Sequence, residues 1–257
     1  MSLPILKLTA PIVLVPGLRW FGPLFSARRP SRDAFPGVRR VLEAAGNQVL
    51  TARLSATASV ATRAGELKMF LQSNVGSQPV HLIGHSMGGL DARYMISRLG
   101  MDRQIRSLTT VATPHRGTTF ADWFICRFAR YISPLFRALG IPDDGFFDLT
   151  TEACQRFNAE VPDAPSVRYA SVAGVCEKPW LGMEWAFPSH IVRKAEGPND
   201  GVVSVASATW GEQNDVWIGD HLNLVNWPNR LMKKAGEWHD RASDYGLLLN
   251  RLAHIES

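Results

Sequence analysis

The feature that most restricts this chain is a five-residue turn, Gly84-His85-Ser86-Met87-Gly88, between two apolar segments of different rhythm. Before it, Pro79 to Ile83 carries Val80-His81-Leu82-Ile83, a short run that reads as a buried strand. After it, Leu90 to Leu99 reads as a helix closed by Gly100. A strand that enters a helix through G-x-S-x-G holds the serine in a strained backbone conformation, with its Oγ projecting from the sheet edge. The flanking glycines remove side chains that would collide with the adjoining strand and helix. Ser86 is therefore the candidate nucleophile.

The rest of the chain repeats the strand-then-helix rhythm. Ile12-Val13-Leu14-Val15, stopped by Pro16-Gly17, looks like a strand buried on both faces. Ser31-Arg32-Asp33 can cap a helix that continues through Val38, Val41 and Leu42 to Gly46. Val49 to Ala52, Ile105 to Ala112, Arg168 to Gly174 and Val216 to Ile218 read as strands. Helices are expected near 59–75, 150–160 and 236–254. Short apolar strands alternating with longer helices imply βαβ units and a mostly parallel sheet, hence an α/β fold. The expectation is a single domain over 1–257, because α/β folds of this size are commonly one unit. Residues 118–148 interrupt the rhythm. Phe120, Trp123, Phe124, Ile125, Phe128, Tyr131, Ile132, Leu135, Phe136 and Leu139 are too apolar for a plain surface loop. A core-facing stripe and a helical insertion outside the sheet rhythm are the two readings.

A serine hydroxyl is a weak nucleophile and needs a base, which in turn needs an orienting acid. In folds built on this turn the chain order is Ser, then Asp or Glu, then His. His115 precedes any plausible acid in that order, and His190 precedes the strongest acid candidate. His239 and His254 are expected on the last helix, and His85 is expected to point away from the serine. His221 fits best, on a loop after Val216-Trp217-Ile218-Gly219-Asp220. Asp200, in Asn199-Asp200-Gly201, is the candidate acid, although those three residues are also an ordinary turn signal. Asp220 is the rival, but its place beside His221 suits it to shaping the loop.

Several segments, in order, resemble the bacterial triacylglycerol lipases of the Pseudomonas and Burkholderia type, members of the α/β-hydrolase superfamily. They are Val13 to Leu18, Pro79 to Tyr94, Thr113 to Thr118, Asn199 to Val203 and Asp220 to Asn226. The resemblance runs from about residue 10 to 228. It implies an α/β-hydrolase fold and a lipase or esterase with Ser86, Asp200 and His221 as triad. The backbone amides of Leu18 and Met87 would form the oxyanion hole, and residues 118–148 would take the lid position. The implied substrate is a small or lipid ester, with transient contact between lid and lipid interface. Thioesterases and acyltransferases use the same triad, so the turn alone does not separate them. A non-catalytic lipid-binding member of the fold would lack a triad residue, and here all three are present.

The resemblance departs at a calcium position beside the histidine loop. There the family places an acidic ligand and an amide, and this chain has Asn223 and Trp227. Tryptophan offers calcium no oxygen, so neither a metal nor another cofactor is expected. Asp91 and Arg93 are expected to pair with each other.

Composition excludes other classes. The formal net charge is +5 and the isoelectric point about 9.4, but the basic residues are scattered. Arg28-Arg29 with Arg32, and Lys233-Lys234, are too sparse for a nucleic-acid patch. Cys126, Cys154 and Cys176 are odd in number and lack CxxC spacing, which argues against a zinc site or redox pair. The amino-terminal stretch has no leader pattern, so the expectation is a soluble, cytoplasmic chain.

Overall fold

The computed structural model describes residues 5–18, 33–138, 142–182 and 184–256. Among these, six strands form one sheet in the order β2-β1-β3-β4-β5-β6, and every neighbouring pair is parallel. The strands are β1 (Ile12–Val15), β2 (Val49–Thr51), β3 (Val80–His85), β4 (Ile105–Val111), β5 (Arg168–Val175) and β6 (Gln213–Ile218). The central ones are buried on both faces, as their continuous apolar runs require. Ile12 and Leu14 enter one core with Ile83, while Val13 and Val15 enter a second with Leu82 on the opposite face. Each such side chain contributes roughly 1.5–3 kcal/mol by leaving water.

The helices lie where parallel crossovers demand. Helix α1 (Val38–Ala44) packs on the first core, and α2 (Val60–Asn74) and α3 (Met87–Arg98) on the second. Helix α1 starts later than the sequence suggests. Pro36 lacks an N–H and disfavours helical backbone just before it. Gly37 has φ 78°, and Asp33 Oδ1 accepts a local bond from the Phe35 amide at 3.0 Å. Ser31 and Arg32 of the expected cap lie outside the described residues.

After β4 comes the interruption. It forms helix α4 (Thr119–Ala138), with Pro134 inside it, and a short α5 (Asp144–Phe147). Leu139 lies outside the described residues, as do the side chains of Ile132, Leu135 and Phe136. Then follow α6 (Thr151–Glu160), β5, α7 (Ala186–Glu196), α8 (Val205–Ala208), β6 and α9 (Arg230–Lys234). The closing helix α10 (Ala242–Glu256) packs Tyr245, Leu248, Leu249 and Leu252 into the first core. It begins after His239, so that residue precedes the helix instead of lying on it. Among the described residues no helix is long and apolar enough to cross a membrane.

Candidate active site

Ser86 is the sole residue between β3 and α3, at the carboxyl end of a central strand of the parallel sheet. Its φ of 54° and ψ of −132° are the strain expected of a serine held at such a turn. Neighbours hold it there. The Ser86 amide donates to Val111 O at 2.9 Å, and its carbonyl accepts from the Thr113 hydroxyl at 2.8 Å. Close approach explains the glycines. A Cβ on Gly17 would lie 2.6 Å from Ser86 Cβ, and one on Gly88 would lie 2.4 Å from Val15 O. Met87 opens α3 and is fully buried. Leu18 packs with it in a cluster with Val60, Leu90 and Cys154.

Asp200 and His221 meet. His221 Nδ1 lies 2.7 Å from Asp200 Oδ2. A carboxylate accepts only, so Nδ1 carries the proton of this bond. Asp200 is fully buried, and its Oδ1 accepts from the amides of Val202 at 3.0 Å and Val203 at 2.8 Å. The His221 amide donates to Asp200 O at 2.8 Å. Asn199 braces the acid loop, its Oδ1 accepting from Ser189 and Gly201 at 2.9 Å each. Asp220 shapes the histidine loop, as its position suggests. Its Oδ1 accepts from Leu222 at 3.1 Å and Asn223 at 2.7 Å, and burial pushes its pKa up to about 6.

Other histidines take structural places. His115 is fully buried, stacked on Trp210 with centroids 5.0 Å apart, and bonded to Thr110 Oγ1 at 3.0 Å. Burial, then the Arg93 and Arg116 charges, hold its pKa well below the usual value. His190 is exposed on α7. His85 packs its ring against His221, a contact the sequence reading missed.

Asp91 and Arg93 do not pair with each other. Residues two apart on a helix face away from one another. Asp91 instead meets Arg63 of α2, whose Nε donates to Asp91 Oδ2 at 2.8 Å. Arg93 reaches Asp163 and Asn158 and lies 3.9 Å from the Trp210 ring centroid. Arg63 is fully buried and also donates to Pro16 O at 2.6 Å and to Ser55 O. It therefore fixes the strand end that carries Gly17 and Leu18. A lone arginine in a helix carries no sequence signal for such a role.

At the calcium position Trp227 offers no oxygen, whereas the buried Asn223 Oδ1 has no hydrogen-bond partner among the described residues. Asn223 Nδ2 donates to His239 O at 2.8 Å, and Trp227 Nε1 donates to Ala34 O at 3.1 Å. Asp220 Oδ1 accepts from two backbone amides.

A family model for the PGAP1-like alpha/beta domain matches residues 61–228, which include Ser86, Asp200 and His221. The triacylglycerol lipase of Pseudomonas fragi is 36% identical over 265 residues, covering 84% of this chain and 87% of that one. The chain belongs to the triacylglycerol lipase family. This is a family of carboxylic ester hydrolases, and the likeness is not confined to bacteria. Triacylglycerol lipase 2 of Saccharomyces cerevisiae is 35% identical over 206 residues, covering 76% of this chain. The chain spans 63% of that relative's length. Among solved structures, the lipase of Staphylococcus hyicus superposes with a TM-score of 0.69 at 20% identity, covering all of this chain and 98% of its own. That likeness shows a shared α/β-hydrolase fold, including the parallel sheet and flanking helices described above.

Proposed function

We propose that this lipase-family member cleaves lipid-type carboxylic esters through an acyl-enzyme on Ser86. The observation that carries the reading is the buried Asp200–His221 pair at the sheet end that also presents the strained Ser86. Ser86 Oγ attacks the ester carbonyl while His221 Nε2 takes the hydroxyl proton. The amides of Met87 and Leu18 stabilise the oxyanion of the tetrahedral intermediate. The intermediate collapses as His221 returns the proton to the departing alcohol. Water, activated by the same imidazole, then attacks the acyl carbon and frees Ser86. Asp200 keeps the proton on Nδ1 and stabilises the imidazolium in both halves. No step requires a metal.

The insertion supports lipid substrates. Helix α4 presents a ladder of aromatic contacts, Phe120 to Trp123 and Phe124 to Phe128. Trp123 meets Phe187 of α7 edge to face at 4.9 Å, and Phe124 meets Phe146 of α5 at 6.2 Å. This helix is therefore docked on its neighbours on one side. Tyr131 remains 62% exposed and Phe187 54% exposed, so aromatic surface is left for a lipid interface. In this reading α4 acts as a lid that exchanges water for lipid contact.

The test is hydrolysis of p-nitrophenyl esters from short to long acyl chains, with Ser86→Ala as the blank. The proposal expects turnover that requires Ser86 and rises with chain length. Asp200→Asn should fold normally and lose roughly 10⁴-fold in kcat, because Nδ1 loses the partner that fixes its proton. Wild-type rates in Ser86→Ala would overturn the mechanism. Ser86-dependent turnover of thioesters alone would overturn the substrate class.

A further inference from the structure

His85 is a buried ring beside the site that the mechanism above does not use, and two contacts give it a part. We propose that His85 is a positioning residue that sets the spacing between Ser86 and His221, by donating its Nε2–H to the main-chain carbonyl of His221. This rests on the triad reading and adds a residue to it. The Nε2 to carbonyl distance is 3.1 Å, and the two imidazole centroids are 4.7 Å apart. A carbonyl can only accept, so Nε2 must carry the proton.

The contact completes the restraint of His221. Its amide is bonded to Asp200 O at 2.8 Å and its Nδ1 to Asp200 Oδ2 at 2.7 Å. With its carbonyl held by His85, the polar group left over is Nε2, the one that must meet the serine. His85 is also joined to Ser86 by a peptide bond, at the end of β3. One side chain thus links the backbone of the nucleophile to the backbone of the base. A drift of the strand end carries both reacting groups together, which protects an alignment that catalysis needs to within a fraction of an ångström.

The ring is itself wedged in place. Phe35 meets it edge to face at 6.4 Å, and Tyr245 backs Phe35 at 6.3 Å. The Tyr245 hydroxyl donates to Leu224 O at 2.9 Å, in the same histidine loop. Burial, and then the charge of His221, hold the His85 pKa well below the usual value. The ring therefore stays neutral while His221 carries the proton, and adds no repulsion to the imidazolium.

The test compares His85→Phe, which keeps a ring without the donor, with His85→Gln, which restores a donor at similar reach. Rates are measured on p-nitrophenyl butyrate with melting temperatures recorded. The Phe variant is expected to lose about 10- to 100-fold in kcat with KM within about twofold, the scale of a small misalignment. The Gln variant should recover most of the rate. Wild-type kcat in the Phe variant would overturn the proposal. So would a Gln variant as slow as Phe with an unchanged melting temperature. Long-range proton–nitrogen NMR of the wild-type chain decides the matter without any variant. Nε2–H on His85 is expected, and the Nδ1–H tautomer would overturn the bond. If wild-type turnover does not depend on Ser86, the triad reading fails, and that result is separate from the tautomer of His85.

Discussion

At the scale of single residues, Asp200 and Asp220 show how environment divides two carboxylates near one histidine. Asp200 spends one oxygen on His221 and the other on two amides. Asp220 lies almost wholly out of water and faces Glu184 and Asp200, which add to the effect of burial, so its pKa rises from 3.8 to about 6. The folded chain thus holds the Asp220 proton more tightly than the unfolded chain. That contribution to stability is complete below about pH 4 and is lost as pH rises through about 6. Asn at this position would keep the oxygen that accepts from Leu222 and Asn223 and would have no charge to desolvate. Asp220→Asn is therefore expected to match wild type at pH 4 and to exceed it by at most about 3 kcal/mol at pH 8. Urea unfolding at the two pH values measures this. An equal gap at both would show that Asp220 is not the group that titrates.

At the scale of elements, Arg63 joins α2, the nucleophile helix α3 and the end of β1 through one guanidinium. Burial pushes the pKa of Asp91 up and the Arg63 charge opposes it. Arg63→Met would leave the Asp91 carboxylate buried without its counter-charge, and about 3–5 kcal/mol of stability should be lost. Adding Asp91→Leu should recover much of that stability, because apolar pairs commonly replace buried ion pairs without loss. It should not restore ester turnover, since the Pro16 carbonyl still lacks its donor and Leu18 its anchor. Chemical denaturation and kcat on both variants separate the two effects, and full activity in the double variant would remove Arg63 from the support of the oxyanion strand. This network also marks where sequence reading stops. The strands were legible because residues such as Ile12 to Val15 are apolar on both faces, and the serine turn because its glycines are local necessities. Asp200 and His221 were legible through the resemblance of their loops. Arg63 was not, because its partners lie 28 residues away at Asp91 and 47 away at Pro16. The Asp91–Arg93 expectation failed because adjacency in sequence is not adjacency on a helix, and the start of α1 was misplaced by the local geometry of Pro36-Gly37.

At the scale of the molecule, the first core is built from distant parts of the chain. Leu8 before β1, Phe35 and Leu42 around α1, Val111 and Val172 in the sheet, and Tyr245 to Leu252 in α10 all share it. Tyr245 touches both Phe35 and Trp217 and bonds the histidine loop at Leu224. With one sheet and a core closed by its last helix, we propose that the chain unfolds as a single domain. Trp217 lies on β6 beside Tyr245, whereas Trp210 lies against Arg93 and His115 near the opposite face. Trp217→Phe and Trp210→Phe variants therefore report different regions by fluorescence. Their urea transitions should coincide with each other and with far-UV circular dichroism. Removing residues 242–256 would take four side chains, Tyr245, Leu248, Leu249 and Leu252, out of the first core and expose the partners they cover. At roughly 2 kcal/mol each, that loss is comparable with the 5–15 kcal/mol that holds an ordinary domain together, so the shortened chain should not reach the native fold. Separate transitions for the two tryptophan regions, or a shortened chain that still melts cooperatively and hydrolyses esters, would show that α10 and the sheet are independent units.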